Sequence, residues 1–121
     1  MSIPIRPLLL IIAGLASPAA QAQFLGSGFE SNVTLTKEDL DMMRQTVNQQ
    51  IHGKPVKTTA TWSNPNSKNS GTIKLLKKFT AGNMRCEELG YTLMTTAVAG
   101  ASPEHYVLDS CLQPDGSWKI L

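Results

Sequence analysis

The side chains with chemistry to offer sit late in the chain: Glu87 and Glu88, then His105, Asp109 and Ser110, framed by Cys86 and Cys111. A histidine, an acid and a serine invite a hydrolase reading. On a strand, however, His105 and Asp109 share a face two pleats apart, too far for a direct hydrogen bond, and Ser110 points the opposite way. No G-x-S-x-G elbow is present. Glu88 and Asp109 form a second acid pair suited to acid–base work or a cation. With lysines around them on an open sheet face, they read instead as a solvated ion-pair patch. Glu87 and Glu88 alternate faces and cannot act together. His52 follows a helix and complements its C-terminal dipole. Met42, Met43, Met84 and Met94 are scattered, without the grouping that copper needs. Zinc is excluded because the only two thiols are expected to pair. These readings leave no catalytic residue, no metal site and no cofactor: the chain is expected not to be an enzyme.

The elements that position these groups follow from periodicity. Thr36-Lys37-Glu38-Asp39 starts a helix, with Thr36 as cap, Asp39 at the capping-box position and two acids at the positive dipole end. Leu40, Met43, Val47 and Ile51 then make one apolar stripe, and Gly53 with Pro55 ends the helix, predicted over 37–51. From Val56 the period becomes two. Strands are predicted over 56–62, 72–80, 85–95, 104–113 and 118–120, separated by Asn64-Pro65-Asn66-Ser67, Ala81-Gly82-Asn83, 98–103 and Pro114-Asp115-Gly116. In the 72–80 strand, Ile73, Leu75 and Phe79 take one face, with Lys74 and Lys78 on the other.

Register follows from the cysteines. If Tyr91 faces Tyr106, Leu89 faces Leu108 and Cys86 falls opposite Cys111, within bridging distance and on the face away from the apolar stripe. A Pro-Asp-Gly turn then sets Trp118 across from Leu112 and Lys119 across from Cys111, with Gly116 left-handed. The scheme places Glu88 against Asp109, an unfavourable pair that Lys119, Lys74 and Lys78 offset. The expected fold is α+β: one N-terminal amphipathic helix packed on a five-stranded antiparallel meander sheet, over Leu75, Leu89, Tyr91, Leu108 and Trp118.

The N-terminus reads as an export signal. Arg6 precedes a short apolar run to Leu15, and Ala20-Gln21-Ala22 fits an A-x-A cleavage site. The run is too short for a spanning helix, so no transmembrane segment is expected after signal removal. The expected organisation is a cleaved signal over 1–22, a flexible leader over 23–35 and one domain over 36–121. The compartment would be oxidising, which favours the disulfide. A net charge of +2 for 121 residues gives no electrostatic case for nucleic acid.

From Trp62 onward the chain carries Trp62-Ser63-Asn64-Pro65, Ser70-Gly71-Thr72, Gly82-Asn83-Met84-Arg85-Cys86 and Ser110-Cys111-Leu112-Gln113-Pro114-Asp115-Gly116-Ser117-Trp118. This order, over residues 62–121, resembles the bacterial outer-membrane surface-antigen domains of the rickettsial common-antigen type. Those domains read W-x-N-P, S/G-G, G-x-x-C-R and C-x-x-x-D-G-x-W. Here the basic residue precedes the cysteine, no cysteine follows the signal to take a lipid, and the Gly-rich segment is reduced to Gly26-Ser27-Gly28. The resemblance implies a protein of the bacterial cell envelope, in the periplasm, outer membrane or cell surface, with an envelope protein or outer-membrane component as partner.

Four residues are candidates for binding. Trp62 and Asn64 belong to the W-x-N-P segment, against which stands a core tryptophan followed by a turn-forming Asn-Pro. Lys74 and Lys78, with Lys77, form a basic group able to meet anionic headgroups, or simply to solubilise a strand. The expected function is a non-enzymatic, surface-antigen-like domain that binds or scaffolds an envelope component. The alternative is a periplasmic inhibitor or adaptor of an extracytoplasmic hydrolase, using the 63–70 or 96–104 loop.

Overall fold

The computed structural model describes residues 33–121. The signal expected over 1–22 and the leader up to residue 32 lie outside the described residues. Helix α1 (Lys37–Gln50) begins on the expected capping box: Asp39 N–H donates to Thr36 Oγ1 at 3.0 Å and Thr36 N–H donates to Asp39 Oδ2 at 2.9 Å. Both satisfy amides that a helix start leaves without partners. Leu40, Met43, Val47 and Ile51 are all buried. The folded body starts ahead of the helix, because Val33 is buried and the Thr34 carbonyl accepts from Asn69 Nδ2 at 2.9 Å.

Five strands follow: β1 (Thr59–Asn64), β2 (Asn69–Ala81), β3 (Met84–Thr95), β4 (Glu104–Leu112) and β5 (Trp118–Ile120). They pair in chain order, each antiparallel to the next, and give an α+β fold with one helix and one sheet among the described residues. The register matches the expected one at each anchor. Tyr91 pairs with Tyr106, Leu89 with Leu108 and Cys86 with Cys111, and Trp118 pairs with Leu112. Gly116 takes φ +90° in the last turn, where the Ser117 hydroxyl and amide hold the Asp115 carboxyl below its ordinary range.

The β1–β2 hairpin is longer than expected, with β1 running to Asn64 and β2 starting at Asn69 instead of residue 72, and two further features depart from the sequence reading. The first strand starts at Thr59, not Val56, because Val56 and Lys57 form a turn in which Lys57 adopts φ +80°. More consequential is a bulge in β2. Leu75 pairs with Leu89 but Lys77 pairs with Glu88, so Leu76 is an extra residue. An inserted residue inverts the side-chain alternation beyond it. Lys74 therefore keeps the outer face, as expected, whereas Lys78 moves to the helix-covered, inner face opposite Glu87. Phe79 moves the other way, next to Cys86, and is not part of the core stripe of Ile73 and Leu75. The Glu88–Asp109 pair is consequently met by Lys77, whose Nζ lies 3.8 Å from Glu88 Oε2 and 5.6 Å from the Phe79 ring centroid.

The Cys86–Cys111 disulfide joins β3 to β4 with Cα atoms 4.0 Å apart. It lies on the outer face as expected, yet both residues are buried, at 1% and 0% exposure, flanked in register by Phe79 and Lys119. Closing a loop over 25 positions stabilises such a domain by roughly 3–4 kcal/mol. The paired substitution Cys86→Ser with Cys111→Ser is expected to lower the urea midpoint by that equivalent. Reductant is expected to reproduce the shift in the unmodified chain.

Candidate functional site

The structure separates the residues from which a hydrolase would be assembled. His105 Nδ1 contacts Thr92 Oγ1 at 3.1 Å on the exposed outer face, Asp109 faces Glu88, and Ser110 turns inward opposite Glu87. Among the described residues no group of three His, Cys, Asp or Glu side chains could hold a metal ion.

Trp62 and Asn64 both point inward from β1 and serve the fold. Trp62 is 5% exposed and lies over Gly71, its strand partner. Asn64 belongs to a polar knot around the buried Asp39 carboxylate. Asp39 Oδ1 accepts from Asn64 Nδ2 at 2.8 Å and Ser67 Oγ at 2.7 Å, while Oδ2 accepts from Asn69 Nδ2 at 2.8 Å. Asn64 Nδ2 also reaches Glu38 Oε1 at 3.0 Å, and its Oδ1 accepts from Asn66 N–H at 3.1 Å, shaping the β1–β2 turn. Burial pushes the Asp39 carboxyl up, but the bonds from Thr36, Asn69, Ser67 and Asn64 together outweigh it and hold the pKa below the ordinary carboxylate value. One acid thus completes the capping box of α1 and pins its first turn to the hairpin.

The inner face carries a second polar centre at the far end of the helix, which the sequence reading missed. Glu87 is 3% exposed, and both its oxygens are engaged: Oε1 by His52 Nδ1 at 2.6 Å and Oε2 by Gly53 N–H at 3.0 Å. The carboxylate thus fixes the proton on Nδ1 and the orientation of the ring. The imidazole stacks on the Trp118 indole with centroids 4.0 Å apart and planes 5° from parallel. The bulge in β2 builds the surroundings. By carrying Lys78 and Thr80 to the inner face, it sets them beside Arg85, Glu87 and Trp118 around an open depression of about 300 Å³, with Phe79 and Cys86 completing the wall.

Glu87 orienting His52 has the form of a catalytic dyad, but no hydroxyl or thiol among the described residues hydrogen-bonds to its Nε2. Lys78 and Arg85 are exposed and form no ion pair with a described residue. An aromatic platform locked from behind, flanked by two exposed cations, is suited to hold a ligand more than to transform one. Elsewhere, burial pushes the Tyr91 phenol above its ordinary range. Among the described residues no helix is long and apolar enough to cross a membrane. No protein-family model, curated protein or solved structure matches the chain.

Proposed function

We propose that this chain is a non-enzymatic binding module of the bacterial cell envelope, exported to the periplasm or cell surface, whose ligand site is the depression at Trp118. The export reading rests on the signal-like N-terminus and on the two thiols being paired. The envelope reading rests on the surface-antigen motifs between Trp62 and Trp118. The observation that carries the binding reading is the placement of Lys78 and Arg85, neither paired with an acid among the described residues, beside an indole held in place by His52. Cations beside a flat apolar surface select an anion attached to a ring or short chain, and phosphorylated or carboxylated sugars of the envelope have that form.

The test is a titration of the processed protein with sugar phosphates and uronic acid disaccharides, following the Trp118 indole N–H by NMR. Binding is expected to move that signal and leave the buried Trp62 signal in place. The substitutions Lys78→Glu and Arg85→Glu together are expected to weaken binding at least about tenfold, as loss of charge-assisted contacts does. An indole signal that does not move, or binding equal in the double variant, overturns the assignment of the site. Recovery of the protein in the cytoplasmic fraction with both thiols free overturns the export reading separately.

A further inference from the structure

Among the described residues, the β4 strand has a partner along only part of its outer edge. On one side it pairs with β3 from Glu104 to Cys111, but on the other β5 covers only Ser110 to Leu112. Which backbone groups face the open side follows from the bonds at the covered end. Gln113 N–H donates to the Ser117 carbonyl and Leu121 N–H donates to the Asp109 carbonyl, so odd-numbered residues direct their amides and carbonyls towards β5. Continuing that alternation, His105 and Val107 direct N–H and C=O groups to a side where no described strand pairs with them, while even-numbered residues bond to β3. A row of this kind is a template for another strand.

Of the devices that usually blunt such an edge, two are missing from this window. Residues 104–108 contain neither lysine nor proline, and Val107 is 59% exposed on the outer face. The other sheet edge, β1, instead shows solvent a row of Thr59, Thr61 and Ser63.

We infer that the 104–108 edge of β4 pairs with the same edge of a second copy of this chain, antiparallel about a twofold axis through Tyr106. The register follows from sterics and symmetry. Leu121 occupies the position opposite Asp109, so a partner strand can reach only as far as Leu108, and the stretch of backbone edge that β5 leaves uncovered is five residues centred on Tyr106. Twofold pairing there sets His105 opposite Val107 of the second copy, and the reverse. Their outward amides and carbonyls then exchange four backbone hydrogen bonds without displacing Leu121. The exposed Val107 is covered by an imidazole, and His105 comes diagonal to Asp109 of the second copy, which sets a polar ring near a carboxylate across the seam. The two five-stranded sheets become one of ten. This pairing is independent of the ligand site at Trp118, which lies on the inner face at the other end of β4.

The experiment is sedimentation of the processed chain across a micromolar to millimolar series, paired with amide hydrogen exchange at both extremes. A concentration-dependent dimer is expected, with the His105 and Val107 amides slowing at high concentration. Val107→Lys is expected to weaken dimerisation at least about tenfold through like charges at the seam. Val107→Pro removes only an outward amide, so it is expected to fold and stay monomeric; thermal melting of the dilute variants checks their folding. A monomer throughout the series overturns the inference. Slow exchange at His105 and Val107 that does not change with concentration also overturns it, because another part of the same chain would then cover the edge.

Discussion

Replacing Asp39 with alanine is expected to destabilise the domain by about 3–5 kcal/mol, the range for stripping a buried charge from its partners. The carboxylate is fully buried and accepts four hydrogen bonds, from Thr36, Asn64, Ser67 and Asn69. Removing it takes the reciprocal half of the capping box from α1 and one partner from each of three side chains in the β1–β2 hairpin. Asp39→Asn is nearly the same size but points an amide at groups that are themselves donors, so it is expected to lose most of the same stability. Chemical denaturation of both variants checks this, and a loss below about 1 kcal/mol for Asp39→Ala would mean that the knot only fills space. The same residue sets an acid limit. Its folded pKa lies below the unfolded value, so its contribution is complete above about pH 5 and drains away as the pH falls from about 4 towards the folded value. In Asp39→Asn this part of the acid dependence is expected to disappear.

The sheet was legible where local signals reinforce one another. Alternation, a Pro-Asp-Gly turn and two thiols each constrain the same register, and a slip of one residue would have separated the sulfurs and turned every apolar side chain outward. The bulge had no such signal. Leu75-Leu76-Lys77-Lys78-Phe79 reads equally well with either lysine outward, because two apolar residues followed by two basic ones fit both phases of a period of two. Only pairing with β3 decides, by seating Lys77 against Glu88.

The two polar centres failed to show for a related reason. Asn64, Ser67 and Asn69 have turn-forming side chains, and nothing local says that they also converge on an acid 25 to 30 positions earlier. His52 follows the helix that its dipole would favour, but its partner Glu87 lies 35 positions away. Glu87 was legible as inward-facing from alternation alone. A buried acid needs a partner, and asking which nearby cation could supply one is the signal that would have led to His52.

Gly71→Ala is expected to cost about 3 kcal/mol or more, at the upper end for overpacking a core site. A Cβ at this position would stand 2.3 Å from the Thr92 carbonyl oxygen and 2.7 Å from Trp62 Nε1. The first of these is backbone in β3, so relief requires β3 to move away from β2 where the two strands hold the centre of the sheet. The second belongs to an indole that has no freedom to give way. Trp62 Nε1 is buried without a hydrogen-bond partner among the described residues, and close packing, with Gly71 as its floor, holds the ring. Gly90→Ala supplies the comparison. Its Cβ would meet only the Leu76 side chain, 3.2 Å away on the bulge, which can rotate off the outer face. That variant is expected to change stability by less than about 1 kcal/mol, as a substitution near a yielding side chain should. Urea midpoints of the two alanine variants, measured side by side, check both the close approach at Trp62 and the bulge that puts Leu76 over Gly90. If the two losses were equal, neither the tight indole–glycine contact nor the extra residue in β2 would stand.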